Sequence, residues 1–128
     1  MKFKFLIIMV CTIITTGLTG CYKDVLYPGP DPNAPPQNVS FSSELVPLFT
    51  ANCAANGCHD AIPTHQPSLT ADNAFSSLKN GGYINTVVPT NSIIYGEIKS
   101  GTMPPTGPLK NADIQKILDW IRRGAPNN

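Results

Sequence analysis

Cys53-Ala54-Ala55-Asn56-Gly57-Cys58-His59 places two thiols four residues apart and an imidazole directly after the second. Thiolates are soft ligands and nucleophiles, and imidazole is the commonest metal-binding side chain. Asn56-Gly57 accepts left-handed backbone, so the spacer between the sulfurs can bulge as a turn and leave both on one side. Three chemistries use such a set. The sulfurs can both bond to one large group whose metal His59 holds, Cys53 and Cys58 can form a disulfide in an oxidising compartment, or the three can bind zinc with His65 as fourth ligand. Against zinc, the adjacent side chains of Cys58 and His59 point apart, and the spacing fits no common zinc pattern.

Covalent haem attachment is the chemistry that needs all three groups in this order. Two thiols meet the two vinyl groups of one porphyrin, and the following His sits beneath the iron. The usual spacing is C-x-x-C-H. Here it is expanded to C-x4-C-H, with the Cys58-His59 register intact. A second feature supports the reading: Gly101-Thr102-Met103-Pro104-Pro105 contains the only Met of residues 41–128. A thioether opposite His is a common axial pair of electron-transfer haems and raises the reduction potential, and prolines after it stiffen the loop that carries it. The expected haem-binding residues are therefore Cys53 and Cys58 as thioethers, His59 as the proximal iron ligand and Met103 as the distal one. A backbone carbonyl, from Pro63 or Pro67, is expected to hold the second nitrogen of His59. Tyr83, Tyr95, Arg122 and Arg123 are the candidates for meeting a propionate, against ordinary packing or surface roles. A disulfide would leave the Met-Pro-Pro loop without a purpose.

Two helices frame residues 41–128. The first is expected from Phe41-Ser42-Ser43-Glu44-Leu45-Val46, with Ser42 as N-cap, Glu44 in the first turn, and Phe41 and Val46 as the hydrophobic staple. Pro47 removes a backbone donor one turn in, which demands a bend there or a later start. In the last helix Asn111 is the expected cap, and Ile114, Ile117, Leu118 and Ile121 repeat at i, i+3, i+4 and i+7. Gly124 and Pro126 end it, and Trp120 adjoins the stripe as a core residue. Two short helices are expected between them. One covers 71–79, led by Thr70 and stopped at Asn80-Gly81-Gly82. The other covers 91–99, capped by Asn91 or Ser92, with Ile93, Ile94 and Ile98 inward. No alternating strand pattern and no internal repeat is present. The fold class expected is all-α, with long loops.

The N-terminal residues concern the compartment. Met1-Lys2-Phe3-Lys4 is basic, and residues 5–18 carry no charge. That run is shorter than the roughly 20 residues a spanning helix needs, and it fits a secretory signal. Leu18-Thr19-Gly20-Cys21 resembles the bacterial lipobox, which implies that 1–20 is removed and that Cys21 becomes a lipidated N-terminus. The protein would then sit on a membrane without spanning it. An ordinary signal peptide followed by a chance Cys is the rival reading. With Cys11 in the removed segment and Cys21 on lipid, only Cys53 and Cys58 remain, too few for a multi-bridge framework. Residues 21–40 hold Pro28, Pro30, Pro32, Pro35 and Pro36 among polar residues and read as an extended tether, reaching roughly 60 Å at about 3.1 Å per residue. Residues 41–128 form one domain whose six cations balance six carboxylates, which excludes a basic field for nucleic acid and strong steering of a charged partner. A domain this small without disulfides gains from a large apolar cofactor.

The helix ending in Phe49 to Cys53, the Cys58-His59 pair, Val88-Pro89, the Met103 loop and Asp119-Trp120-Ile121 together resemble class I c-type cytochromes. The nearest likeness is to the expanded-motif domains of lipoproteins in Bacteroidetes and planctomycetes, and it spans residues 41–124. The resemblance implies a small cytochrome c-like fold with its N- and C-terminal helices crossed, Leu48 or Phe49 packing on Trp120. It also implies one covalent haem c and outer-sphere electron transfer between a donor and an acceptor protein, without catalysis. The four-residue spacer is the departure from the family. Tyr22 is not the Asp that retains lipoproteins at the inner membrane of enterobacteria, so the expected address is the outer membrane, facing the periplasm. Cys21-Tyr22-Lys23-Asp24 partly resembles a surface-export signal, which makes the cell surface the alternative. A peroxidase needs an open distal site with acid–base groups. Met103 would close it, and His65, the only spare imidazole, reads as a solvated loop residue near Pro63 and Pro67. A haem-based sensor would share every motif.

Overall fold

Pro47 decides how the chain enters its first helix. In the computed structural model, which describes residues 29–128, Phe41–Leu45 is a π-helical turn running straight into helix α1, Val46–Asn52. The wider turn lets Leu45 N–H reach Ser40 O at 3.3 Å and Val46 N–H reach Phe41 O. Pro47 then falls in the first turn of α1, where its missing N–H costs nothing. The cap is Ser40 rather than Ser42. Its Oγ accepts from Ser43 N–H at 3.3 Å, and Glu44 Oε1 accepts from Ser40 N–H at 3.1 Å. The Ser40 bond holds the Glu44 carboxyl below its ordinary pKa, with Lys116 of the last helix 3.3 Å away adding to the effect. The next two amides donate to Asn128: Phe41 N–H to Oδ1 and Ser42 N–H to the carbonyl, each at 2.8 Å.

The middle helices are shorter than expected. Helix α2 is Ala74–Asn80 rather than 71–79, because Thr70 O takes the N–H groups of Asn73 and Ala74 and keeps 71–73 in a turn. Helix α3, Ile93–Lys99, follows a 3₁₀ turn at Pro89–Asn91. Ser92 is at its N-cap position, but the hydroxyl accepts from Asn85 N–H at 2.9 Å instead of capping. Ile94 and Ile98 face the core, whereas Ile93 is 52 % exposed and turns toward the cleft described below, contrary to expectation. Helix α4 is Asn111–Arg122, with Lys110 rather than Asn111 in the N-cap position. Among the described residues there are four α-helices and no strand, so the domain is all-α. No helix among them is long and apolar enough to cross a membrane.

Aromatic rings join the two framing helices. Phe41 packs near Trp120, with ring centroids 5.0 Å apart, and Phe49 and Leu48 belong to the same apolar cluster. Phe75 meets Phe41 edge-on at 5.3 Å and Phe49 approaches it at 6.2 Å. Because the π turn begins at Phe41, that ring and Leu45 share the buried side with Phe49 of α1. Trp120 is fully buried, its Nε1–H donating to Pro126 O at 2.8 Å. Ile114, Ile117, Leu118 and Ile121 of α4 are buried around it as the periodicity demands.

The proline-rich stretch is not a free spacer through Ser40. Asp31 N–H donates to Gln115 Oε1 at 2.7 Å, Gln115 Nε2 returns to Asp31 O at 3.2 Å, and Arg122 donates to Ala34 O. Gln37 N–H reaches Asp119 Oδ2 at 3.2 Å, and Val39 enters the core. Asp119 is 1 % exposed, and its other oxygen accepts from Gln115 and Arg122. Residues 31–39 thus form a strap along α4. The signal segment and Cys21 lie outside the described residues.

Phe41→Ala should destabilise the domain by about 3–5 kcal/mol, the usual cost of deleting a buried ring. Ile62→Ser, at a position 92 % exposed, should stay within about 0.5 kcal/mol of the parent. Urea titration followed by Trp120 fluorescence measures both.

Candidate functional site

Helix α1 ends by handing Cys53 to the loop that follows. Cys53 N–H and Ala54 N–H both bond to Phe49 O, at 2.8 and 3.0 Å, which closes the last turn. The chain then reverses: Cys58 N–H donates to Ala55 O at 3.0 Å and His59 N–H to Cys53 O at 3.3 Å. Gly57 makes the reversal with φ of +79°, the left-handed conformation expected of the Asn56-Gly57 pair. Asp60 pins the spacer, one carboxylate oxygen accepting from Gly57 N–H at 3.0 Å and the other from Ile62 N–H at 3.1 Å.

His59 is held from behind. Its Nδ1 lies 2.8 Å from Pro67 O, so of the two expected carbonyls Pro67 supplies the bond. A carbonyl can only accept, so Nδ1 carries the proton, and in the neutral ring Nε2 keeps its lone pair for a metal. The segment that brings Pro67 is paired to the motif: Leu69 N–H donates to His59 O at 2.8 Å and Ser68 Oγ to Asp60 O at 2.7 Å.

Met103 comes from a separate loop, after α3. Beyond α3 the chain turns at Gly101, φ +77°, and Met103 N–H donates back to Glu97 O at 3.1 Å. The loop is thereby tied to the end of α3, with Met103 half-buried.

These pieces enclose one cleft of about 610 Å³, lined mostly by apolar atoms. Cys53, Cys58, His59 and Met103 all line it, as do Ile93, Ile94 and Ile98 of α3. The volume lies inside the range of small-molecule and cofactor sites, roughly 300–1,000 Å³. Cys53 and Cys58 are both free thiols, so the disulfide alternative is not formed. Among the described residues no three of His, Cys, Asp and Glu gather as metal ligands, so the zinc arrangement with His65 is not assembled either.

Other residues are placed differently from expectation. Of the four propionate candidates only Tyr83 lines the cleft. Tyr95 is 1 % exposed in the core with Lys99 over its ring, Arg122 is engaged by the strap and Asp119, and Arg123 is exposed beyond the end of α4. Among the described residues no Lys or Arg lines the cleft, and Glu97 is the one acidic residue there. His65 is solvent-exposed as expected, yet it also forms part of the cleft wall. Asp60 is a residue that the motif alone does not single out, although an Asp in a loop commonly bonds the backbone two residues on, as it does here at Ile62. Glu97 was equally readable, four residues after Ile93 on one helix face.

Burial pushes the Cys53 thiol up to about 11, with the neighbouring Cys58 adding to the effect. In protein produced without a haem-attachment system, Cys53 should therefore alkylate slowly at pH 8, with about one thiol in a thousand ionised there. The rate should rise about tenfold per pH unit until near pH 11, and peptide mass spectrometry after timed iodoacetamide exposure measures it. The same shift favours the folded state while the thiol is neutral, and that contribution is lost as pH climbs from about 9 to 11.

No protein-family model, no curated protein and no solved structure matches this chain, and the chemistry of the cleft is what bears on its role.

Proposed function

We propose that this chain is a monohaem c-type cytochrome with a small cytochrome c-like fold, carrying electrons between a donor and an acceptor protein at the cell envelope. The observation that carries the reading is the convergence of two free thiols, an imidazole with an available Nε2 and a thioether, from separate segments, on one apolar cleft. The donor set suits the group: Cys53 and Cys58 would hold haem covalently, His59 and Met103 would bind its iron, and Pro67 O orients His59. Haem held there supplies one-electron chemistry between Fe(III) and Fe(II). The chain's own contribution would be to hold His59 and Met103 in place beside the group and to exclude water with Ile93, Ile94 and Ile98. With no Lys or Arg on the wall, propionates would be stabilised by solvent and by neutral donors such as Tyr83. The lipobox resemblance at Cys21 adds a lipid anchor, and the outer membrane facing the periplasm is the address we assign.

His65 on the cleft wall favours one second reading, a haem protein that binds or reduces a small ligand on the Met103 side, as a sensor or peroxidase would.

Expressed with its own signal peptide and a cytochrome c maturation system, the protein should keep haem through a denaturing gel. Cys58→Ser should lose most of that stain. Met103→Ala should keep the stain but convert the low-spin spectrum to one that responds to carbon monoxide. A parent protein that already responds to carbon monoxide would favour the ligand-binding reading, and a folded parent without covalent haem would overturn both.

A further inference from the structure

Among the described residues, Asp60 is the charged side chain that hydrogen-bonds the backbone of the expanded spacer. Cys53 is fixed by the end of α1, through its own N–H to Phe49 O at 2.8 Å, and does not depend on the loop. Cys58 is held within the loop instead, its N–H donating to Ala55 O at 3.0 Å. It stands in the reversal itself, between Gly57, whose N–H donates to Asp60 Oδ2 at 3.0 Å, and His59. Asp60 Oδ1 accepts from Ile62 N–H at 3.1 Å, and Asp60 O accepts from Ser68 Oγ at 2.7 Å, so both the side chain and the backbone of Asp60 are tied to the chain that follows the motif. Gly57 needs the left-handed backbone, φ +79°, to present its N–H in this way, and a Cβ there would meet nothing within 4 Å. Two extra residues give the spacer more conformations than the usual one has, and something must select among them.

We propose that Asp60 is a positioning residue that selects the spacer conformation in which Cys58 can form its thioether. The inference rests on the haem reading above. In the step concerned the Cys58 thiol adds across a vinyl group: a carbon–sulfur bond forms, the thiol proton goes to the other vinyl carbon, and no oxidant or reductant is required. Without Asp60 the Cys53 bond would still form, and the product would carry haem by one thioether with one vinyl retained. His59 would keep its orientation, since Pro67 O rather than Asp60 holds its ring.

The test uses the full chain matured with haem, and counts thioethers per haem in two ways: the position of the reduced pyridine haemochrome band, which moves to longer wavelength for each vinyl retained, and the mass of haem-bearing peptides. Loss of two charge-assisted hydrogen bonds should lower the share of doubly attached haem about tenfold in Asp60→Ala. The singly attached product should be linked through Cys53. Asp60→Asn keeps an acceptor for Gly57 and should remain within about twofold of the parent. Gly57→Ala disturbs the same conformation from its other end without a steric clash, and should shift the product in the same direction, Gly57→Asn less so because Asn tolerates left-handed backbone. If Asp60→Ala yields too little protein, the Gly57 pair decides. Doubly attached haem at parental level in both Asp60→Ala and Gly57→Ala, or loss of attachment at Cys53 instead, overturns the inference and leaves the cytochrome reading intact. A parent protein with no covalent haem overturns the two together.

Discussion

The contact between Phe41 and Trp120 is the constraint on which this domain depends. Among the described residues there is no strand and no disulfide, so the first helix is joined to the last by side-chain packing, one ion pair and a few hydrogen bonds, with this ring contact at the centre. Two rings 5.0 Å apart, with Phe75 and Phe49 against the first, supply much of the buried apolar surface of a small domain. The backbone around them is tied as well. Asn128 answers the unpaired amides of Phe41 and Ser42, and Trp120 hands its indole proton to Pro126. Polar groups that a junction of chain ends would leave unsatisfied are thereby matched to one another, which removes the main penalty of burying them.

The cleft is built against this frame, largely from irregular chain. Its geometry comes from single hydrogen bonds placed between loops: Cys53 to Phe49, His59 to Pro67, Leu69 to His59, Met103 to Glu97. Each joins a loop to a helix end or to another loop, so the donor atoms inherit the rigidity of the helices without lying on them. Helix α3 contributes three isoleucines as a wall and, through Glu97 O, the tether for Met103. The low charge of the wall matters in turn. An apolar, nearly uncharged surrounding disfavours the ionised form of a thiol, which is why burial pushes the Cys53 thiol up.

Much of this could be read from the sequence, and the reasons differ by element. The last helix follows from period alone, since four aliphatic residues on one face leave no competing assignment. The second nitrogen of His59 was narrowed to two carbonyls by chemistry, but choosing Pro67 required knowing which way residues 60–67 fold back. Pro47 signalled a disturbance without saying which kind, because a bend, a later start and a widened turn all dispose of one missing donor. The cap at Ser40 and the aromatic role of Phe41 followed from that widened turn, so they were misplaced with it. Ile93 departs from the pattern because a seven-residue helix with a core on one side and a cleft on another has two apolar faces, which periodicity alone cannot separate. Tyr95 and the arginines were candidates by residue type only, and such candidates need tertiary placement to mean anything.

The strap along α4 carries a consequence for distance. Wherever the chain is attached upstream, the leash is paid out from residue 31 rather than from residue 41, because Gln115, Asp119 and Arg122 hold the intervening residues to the domain. At about 3.1 Å per residue for a proline-rich segment, that withdraws roughly 30 Å of reach. Were the chain lipid-anchored as proposed, a shorter leash would confine the cleft to a thinner shell above the membrane and raise the local concentration of partners fixed to the same surface. On that reading, partners standing far from the membrane would be out of reach, and the hold of Gln115, Asp119 and Arg122 on residues 31–37 would set which neighbours the domain could visit.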